Sequence, residues 1–263
     1  MARYCSLFSG SSGNSTYFGT ANGGILVDVG VSAKRINTAL CDRGIDPDGL
    51  QGIFITHEHT DHISGLRVFL KQHPMPVYAT AGTARALLEK GALPPDAPLT
   101  VIDGNALTVG DLTVQAFLTP HDSAQSCGYR VTFPDERTAV LATDMGYVTE
   151  TVAKALCGAD LVHIESNHDV RMLECGPYPY SLKCRVLGNG GHLSNEACAT
   201  LLPMLLQHGT TRVVLSHLSC ENNTPDLAKA TATSHLQAAG AMAERDYQLW
   251  VAAPVGDTAP LIF

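Results

Sequence analysis

Short runs of β-branched and apolar residues recur along the chain at 24–29, 52–56, 77–80, 112–118, 128–133, 139–143, 161–165, 213–216 and 248–252, and each predicts a strand. Apolar positions at helical spacing predict helices over 33–43, 64–71, 83–90, 150–156, 195–207 and 225–239. Two helix starts are legible. Ser194 precedes a stripe of Cys198, Leu201, Leu202 and Leu205, so its hydroxyl is placed to cap the first turn, and Thr224-Pro225 sets a capping side chain before a first-turn proline. Hairpin-rich stretches at 106–118 and 128–143 mix with the helices. The pattern is that of a layered α/β (α+β) chain with mixed or antiparallel sheets, not a doubly wound one. No linker, charge block or short repeat marks a boundary, and 263 residues with 45% hydrophobic content suffice for a single domain spanning 1–263. The strongest loop signal is the short run Gly10-Ser11-Ser12-Gly13-Asn14-Ser15.

Composition narrows the function classes. A formal net charge of -8 argues against a broad basic face that would hold nucleic acid by counterion release alone, although metal ions and a few cations can still build a local phosphate site. The opening Met1-Ala2-Arg3-Tyr4 carries no long apolar stretch, and no later run reaches the roughly 18 apolar residues of a membrane span. Eight cysteines, at positions 5, 41, 127, 157, 175, 184, 198 and 220, form no C-x-x-C pair. Reduced, mostly buried thiols and a cytoplasmic, membrane-free protein are expected.

The candidate chemistry lies at strand ends. After the apolar run 52–56, residues 57–62 read His57-Glu58-His59-Thr60-Asp61-His62, three imidazoles and a carboxylate in six positions. Imidazole suits zinc, iron and manganese, and a carboxylate favours a hard or borderline divalent ion. Four ligands this close divide naturally between two ions, His57 and His59 serving one, Asp61 and His62 the other. Three further strand ends supply partners: His121 to the first ion, His217 to the second, and Asp144, whose two oxygens can bridge both. Asp28, ending the run 24–29, is expected to fix a ligand imidazole from behind. His73, His163, His208 and His235 are expected not to be ligands, three being in or beside helices and His163 inside a strand.

Taken in order, the His-x-His-x-Asp-His run, the lone His121, Asp144 and His217, and the preceding Asp28 resemble the metallo-β-lactamase fold. The resemblance implies a four-layer αββα sandwich with metals at one edge of two sheets. His59 stands where flavodiiron proteins carry a glutamate, Asp144 where the best-known β-lactamases usually place a cysteine, and the 144–217 interval is too short for a β-CASP insertion. Four finer motifs, residues 9–15, 165–169, 191–195 and 216–223, resemble the YycJ family, also called WalJ or VicX. That likeness implies a cytoplasmic 5′-to-3′ exonuclease on double-stranded DNA, associated with DNA repair.

The expected chemistry is attack on phosphorus by a hydroxide held between two divalent transition-metal ions (Mn, Zn or Fe), with Asp61 aiming it and no organic cofactor. His168 or His192 is the candidate general acid for the leaving 3′-oxygen. Ser11, Ser12, Asn14, Ser194 and Asn195 are candidates for phosphate contacts, and Arg171, Lys183 and Arg185, expected in a loop, for the DNA backbone. The expected partner is duplex DNA with a 5′-phosphate. A thioester or small phosphodiester hydrolase of the same fold, or a metal-holding regulatory protein without turnover, are the alternatives.

Overall fold

The computed structural model describes residues 1–256 and 260–263. Contacts divide the chain into two compact units. One comprises Met1–Ala116, Ser123–Arg137 and Ala253–Phe263, the other Phe117–Asp122 and Thr138–Ala252.

In the first unit the strands are β1 (Arg3–Phe8), β2 (Ser15–Thr20), β3 (Gly23–Val27), β4 (Leu50–Phe54), β5 (Val77–Thr80) and β6 (Leu99–Ile102). With β14 (Leu261–Ile262) they form a sheet in the order β14-β1-β2-β3-β4-β5-β6. Pairing is antiparallel from β14 to β3 and parallel from β3 to β6. Parallel neighbours need crossovers, and helices supply them: α1 (Ala33–Cys41), then α2 (Thr60–Ile63) with α3 (Leu66–Gln72), then α4 (Ala81–Glu89). A core from Cys5 to Leu93, including Leu26, Ile36, Ile53, Leu66 and Phe69, lies within this unit. Strands β7 (Leu107–Val109) and β8 (Leu112–Leu118) form a hairpin turning at Gly110-Asp111. Gly110 has φ 61, and any Cβ there would run into the Gln51 side chain. The Tyr129 hydroxyl, on β9 (Cys127–Thr132), donates to the Ile55 carbonyl at 2.6 Å, pinning the chain just past β4, where the histidine run begins.

In the second unit β10 (Thr138–Ala142), β11 (Leu161–Glu165), β12 (Arg212–Ser216) and β13 (Gln248–Val251) are all parallel. Their near-continuous apolar sequence is what a strand covered on both faces requires, and every residue of β10 and β11 is buried. The helices are α5 (Glu150–Leu156), α6 (Val170–Cys175), α7 (Tyr180–Leu187), α8 (Asn195–Gln207) and α9 (Pro225–Ala238). Both legible starts are formed: the Ser194 hydroxyl accepts from Ala197 N, and the Thr224 hydroxyl from Leu227 N, ahead of Pro225. Cys198, Leu202 and Leu205 of α8 join Val140, Val162 and Val213 in this unit's own core.

Apart from the helix expected over 64–71, every strand and helix expected from the pattern is present within two residues at each end. Several elements were not legible. β1 and β2 flank the glycine-serine run and mix polar with apolar residues, yet all six residues of β2 are buried. The helix expected from 64 begins earlier and breaks at Gly65 into α2 and α3. Arg171, Lys183 and Arg185 are not in a loop: Arg171 is on α6 and the other two on α7. Asp169 caps α6 by accepting from Met172 N, but Gly176-Pro177 ends the helix after six residues, too few for a periodic signal. Nor are the cysteines mostly buried, since Cys41, Cys175, Cys184 and Cys220 are exposed; none of the eight forms a disulfide. No helix among the described residues is long and apolar enough to cross a membrane.

Candidate metal centre

The candidate residues fall into two clusters, one in each unit. In the first, β3 and β4 are parallel neighbours, and both deliver polar residues just past their C-terminal ends. Asp28 directly follows β3 in a left-handed conformation, φ 63, which turns its side chain off the strand. Its carboxylate accepts from Thr56 N and Thr56 Oγ1, both at 2.8 Å, and meets His62 Nδ1 at 2.8 Å. Asp28 is buried, and burial pushes its carboxyl pKa up more than the neighbouring His62 lowers it. Holding His62 by Nδ1 turns Nε2 toward Asp61 Oδ2, at 3.5 Å, and Asn14 Nδ2, at 3.1 Å. His57 is fully buried, and its Nε2 faces His59 Nδ1 at 3.0 Å.

That spacing tests the fit to a metal. Two nitrogens bound at about 2.0–2.1 Å to one tetrahedral zinc are about 3.3 Å apart, close to the separation of the His57 and His59 nitrogens. Asp61 and His62 sit on the one-turn helix α2, not on a loop, and close packing holds it: Asn14 N donates to Asp61 O, and Val29 N to His62 O. Gly30 is obligatory here, because a Cβ would lie 1.7 Å from the Asp61 carbonyl. Glu58 does not join the ligands. Its carboxylate accepts from Ala124 N, and its carbonyl from Lys90 Nζ.

In the second cluster, three adjacent parallel strands each present a polar group at or just past the C-terminal end: Asp144 after β10, Glu165 ending β11, His217 after β12. Such strand ends are where α/β sheets place their ligands. Asp144 and His217 are left-handed, φ 57 and 55, conformations rare for side-chain-bearing residues and concentrated at functional sites. Glu165 Oε1 lies 2.8 Å from both His192 Nδ1 and His217 Nδ1. Asp144 Oδ1 is 3.5 Å from the same two nitrogens and 3.8 Å from His121 Nε2. His121 Nδ1 meets the Gly191 carbonyl at 3.0 Å. One ligand atom from each of Asp144, Glu165, His192 and His217 lies within 4.8 Å of all the others, a donor set that suits a divalent cation.

Burial acts to raise the Glu165 carboxyl, but His192 and then His217 outweigh it and hold the group well below its ordinary range. Burial lowers His192, and the Glu165 carboxylate more than reverses this, leaving its pKa raised. His168 is different. It is 1% exposed, and burial takes its imidazole down to about 4. His163, inside β11, is likewise lowered by burial, to about 3.

Sequence reasoning gave Glu165 no role, although the signal was there: a charged residue closing an apolar strand, the same feature that singled out Asp144 and His217. Other candidates are engaged differently from the expectation. Asn195 is buried, its amide hydrogen-bonded to Asn223 and Ser166 rather than presented at the surface to phosphate. Asn14 is also buried, bonded to Gly10 and beside His62, while Ser11 and Ser12 are exposed. Ser194 serves as the cap of α8. Arg185 is paired with Asp122, and Lys183 donates to the Glu174 carbonyl. His73, His208 and His235 lie outside every candidate metal cluster among the described residues.

Comparison with known proteins agrees with this fold. A model of the β-lactamase superfamily domain matches residues 24–218. Zinc-bound PqqB from Methylobacterium extorquens superposes with a TM-score of 0.73 at 15% identity, over 99% of this chain and all of that one. The class is thereby defined: an α/β protein of the metallo-β-lactamase fold, with two mixed sheets and helices. Exodeoxyribonuclease YycJ of Bacillus anthracis is 37% identical over 235 residues, 89% of each chain. Exodeoxyribonuclease WalJ of Streptococcus pneumoniae serotype 2 strain D39 is 38% identical over 261 residues, 98% of this chain and 94% of the relative. Within the superfamily, the chain belongs to the YycJ/WalJ family.

Proposed function

We propose that this protein is a metal-dependent phosphodiesterase that degrades duplex DNA as a 5′-to-3′ exonuclease. The observation that carries the reading is its near-full-length kinship with proteins named exodeoxyribonucleases, in a chain that also has side-chain clusters able to hold metal. His57, His59 and His121 would hold one divalent ion and Asp61, His62 and His217 the other, with the Asp144 carboxylate available to both. A family model running unbroken from 24 to 218 supports one functional domain across the two units. A cytoplasmic location fits eight cysteines without a disulfide.

When bound, such an ion pair activates water at neutral pH and offsets charge building on a phosphoryl group. This chain's own residues do the rest. Asp28 and Glu165 orient His62 and His217 by fixing the Nδ1 of each ring, a carboxylate-imidazole arrangement that also raises ligand basicity. Asp61 is 27% exposed, so it can accept a proton or a hydrogen bond from an attacking water. His192, held by Glu165 and 15% exposed, is the proton donor to the leaving 3′-oxygen. His168, buried on a segment whose backbone bridges to Ser194, is a packing residue.

The test is digestion of duplexes labelled at one end, with and without a 5′-phosphate, across Mn²⁺, Zn²⁺ and Mg²⁺, beside bis-p-nitrophenyl phosphate and a glutathione thioester. Stepwise loss from the 5′ end, favoured by the phosphate, is expected. Turnover of the thioester with intact DNA would replace the nuclease reading by the hydrolase alternative, and no turnover at all by the regulatory one.

A further inference from the structure

Behind the second cluster lies a set of buried side-chain amides to which the proposed reaction assigns no task. Asn167 donates from Nδ2 to the His217 carbonyl at 2.8 Å. Asn223 donates from Nδ2 to the Ser166 and Asn167 carbonyls, at 2.9 and 3.0 Å, and to Asn195 Oδ1 at 2.9 Å. Asn195 returns a bond to Asn223 Oδ1 at 2.9 Å and accepts from the Ser166 hydroxyl at 2.6 Å. Backbone bonds close the frame: Ser166 N to Ser216 O, Asn167 N to Leu193 O, Ser219 N to Asn167 O and Asn195 N to His168 O. Ser166, Asn167, Asn195 and Asn223 are all buried.

Three segments are thereby tied together, one carrying Glu165, one following His192 and one carrying His217. The bond from Asn167 is distinct in kind, because it grips the carbonyl of a residue held at φ 55. That conformation is uncommon for any residue with a side chain, even for histidine, which tolerates it better than most. Released from Asn167, the peptide after His217 is able to relax toward ordinary strand geometry, swinging the imidazole off Glu165 Oε1.

We infer that Asn167 is a positioning residue for the metal centre: its amide holds the His217 backbone in the left-handed turn that keeps the imidazole on Glu165 and aims it as a ligand. The inference rests on the proposed ligand role of His217. Among the neighbouring asparagines, Asn223 acts one step further back, fixing the peptide groups on either side of Asn167.

The experiment uses the full chain stripped of metal and titrated with Zn²⁺ against a chromophoric chelator, comparing wild type, Asn167→Leu and His217→Ala. In parallel, ¹⁵N-histidine spectra of the metal-free proteins report the Nδ1 proton shared between His217 and Glu165. Asn167→Leu keeps the volume and removes the donor. It is expected to weaken one of two Zn²⁺ equivalents about ten- to a hundredfold, leave the other unchanged, and shift or lose the His217 signal before any metal is added. If His217→Ala binds both equivalents as tightly as wild type, the ligand reading itself fails. If His217→Ala loses one equivalent while Asn167→Leu binds as wild type with an unshifted signal, the positioning inference alone is overturned. Should the leucine variant not fold, Asn167→Ser, too short to reach the carbonyl, is read in its place with the same expectation. Failure of both to fold makes Asn167 general scaffolding and overturns the inference as well.

Discussion

Alanine at either Asp61 or His59 is expected to cut DNA hydrolysis by about 10²–10³-fold or more, while the protein stays folded. Each substitution removes a ligand from a different proposed ion, so neither can be compensated by the other. These two are the informative positions because their loss is local. His59 occupies the cap position of α2 without making a side-chain cap bond, so its loss removes no hydrogen bond from the helix start. Asp61 lies in the first turn of α2, where alanine is a good helix former and the forfeited dipole interaction is about 0.3–1 kcal/mol. His57 and His62 are fully buried, so alanine there would leave cavities and confuse loss of metal with loss of packing. Circular dichroism and thermal unfolding beside the rate measurement separate the two. A folded Asp61→Ala protein that digests DNA at the wild-type rate would contradict the ligand assignment.

His192→Ala is expected to lower turnover by about 10²–10⁴-fold with metal content retained, whereas His168→Ala should leave turnover nearly unchanged. The distinction follows from their surroundings. His192 is partly exposed and bonded through Nδ1 to a buried carboxylate, which raises its pKa so that the imidazole keeps its proton to higher pH than an ordinary histidine. A protonated donor loses effect as pH rises through that raised pKa, so wild-type activity should fall on the alkaline side. His192→Ala should flatten that limb. His168 is buried and, with its pKa near 4, is neutral at working pH and has no proton of that kind to give. Equal losses in both variants, or an unchanged alkaline limb in His192→Ala, would remove the general-acid role.

Much of this molecule was readable from residue order because its elements obey local rules. Continuous apolar runs of four or five residues such as Ala139-Val140-Leu141-Ala142 read as strands covered on both faces, and Ser194 and Thr224 announce helices that the structure caps with those same hydroxyls. The histidine run could be singled out because nothing in ordinary packing calls for three imidazoles and a carboxylate in six positions. Harder to see were features created by distant partners. Glu165 carried the same strand-end signal as Asp144 and His217, but its place between them follows only from β10, β11 and β12 being parallel neighbours. Asn195 read as a surface donor because it opens a helix beside a glycine-rich loop, and only tertiary pairing with Asn223 puts its amide indoors. The left-handed backbone at Asp28, Asp144 and His217 left no trace in sequence either, since none of the three is glycine.

The most direct measurement is the transition-metal content of the full chain purified without chelators, read by elemental analysis together with Zn²⁺ or Mn²⁺ stoichiometry after stripping and reloading. Two equivalents per chain, reduced in Asp144→Ala and accompanied by loss and recovery of nuclease activity, are predicted. A chain that carries no transition metal, takes up none on reloading, and digests DNA regardless would contradict the two-ion centre on which the proposed function rests.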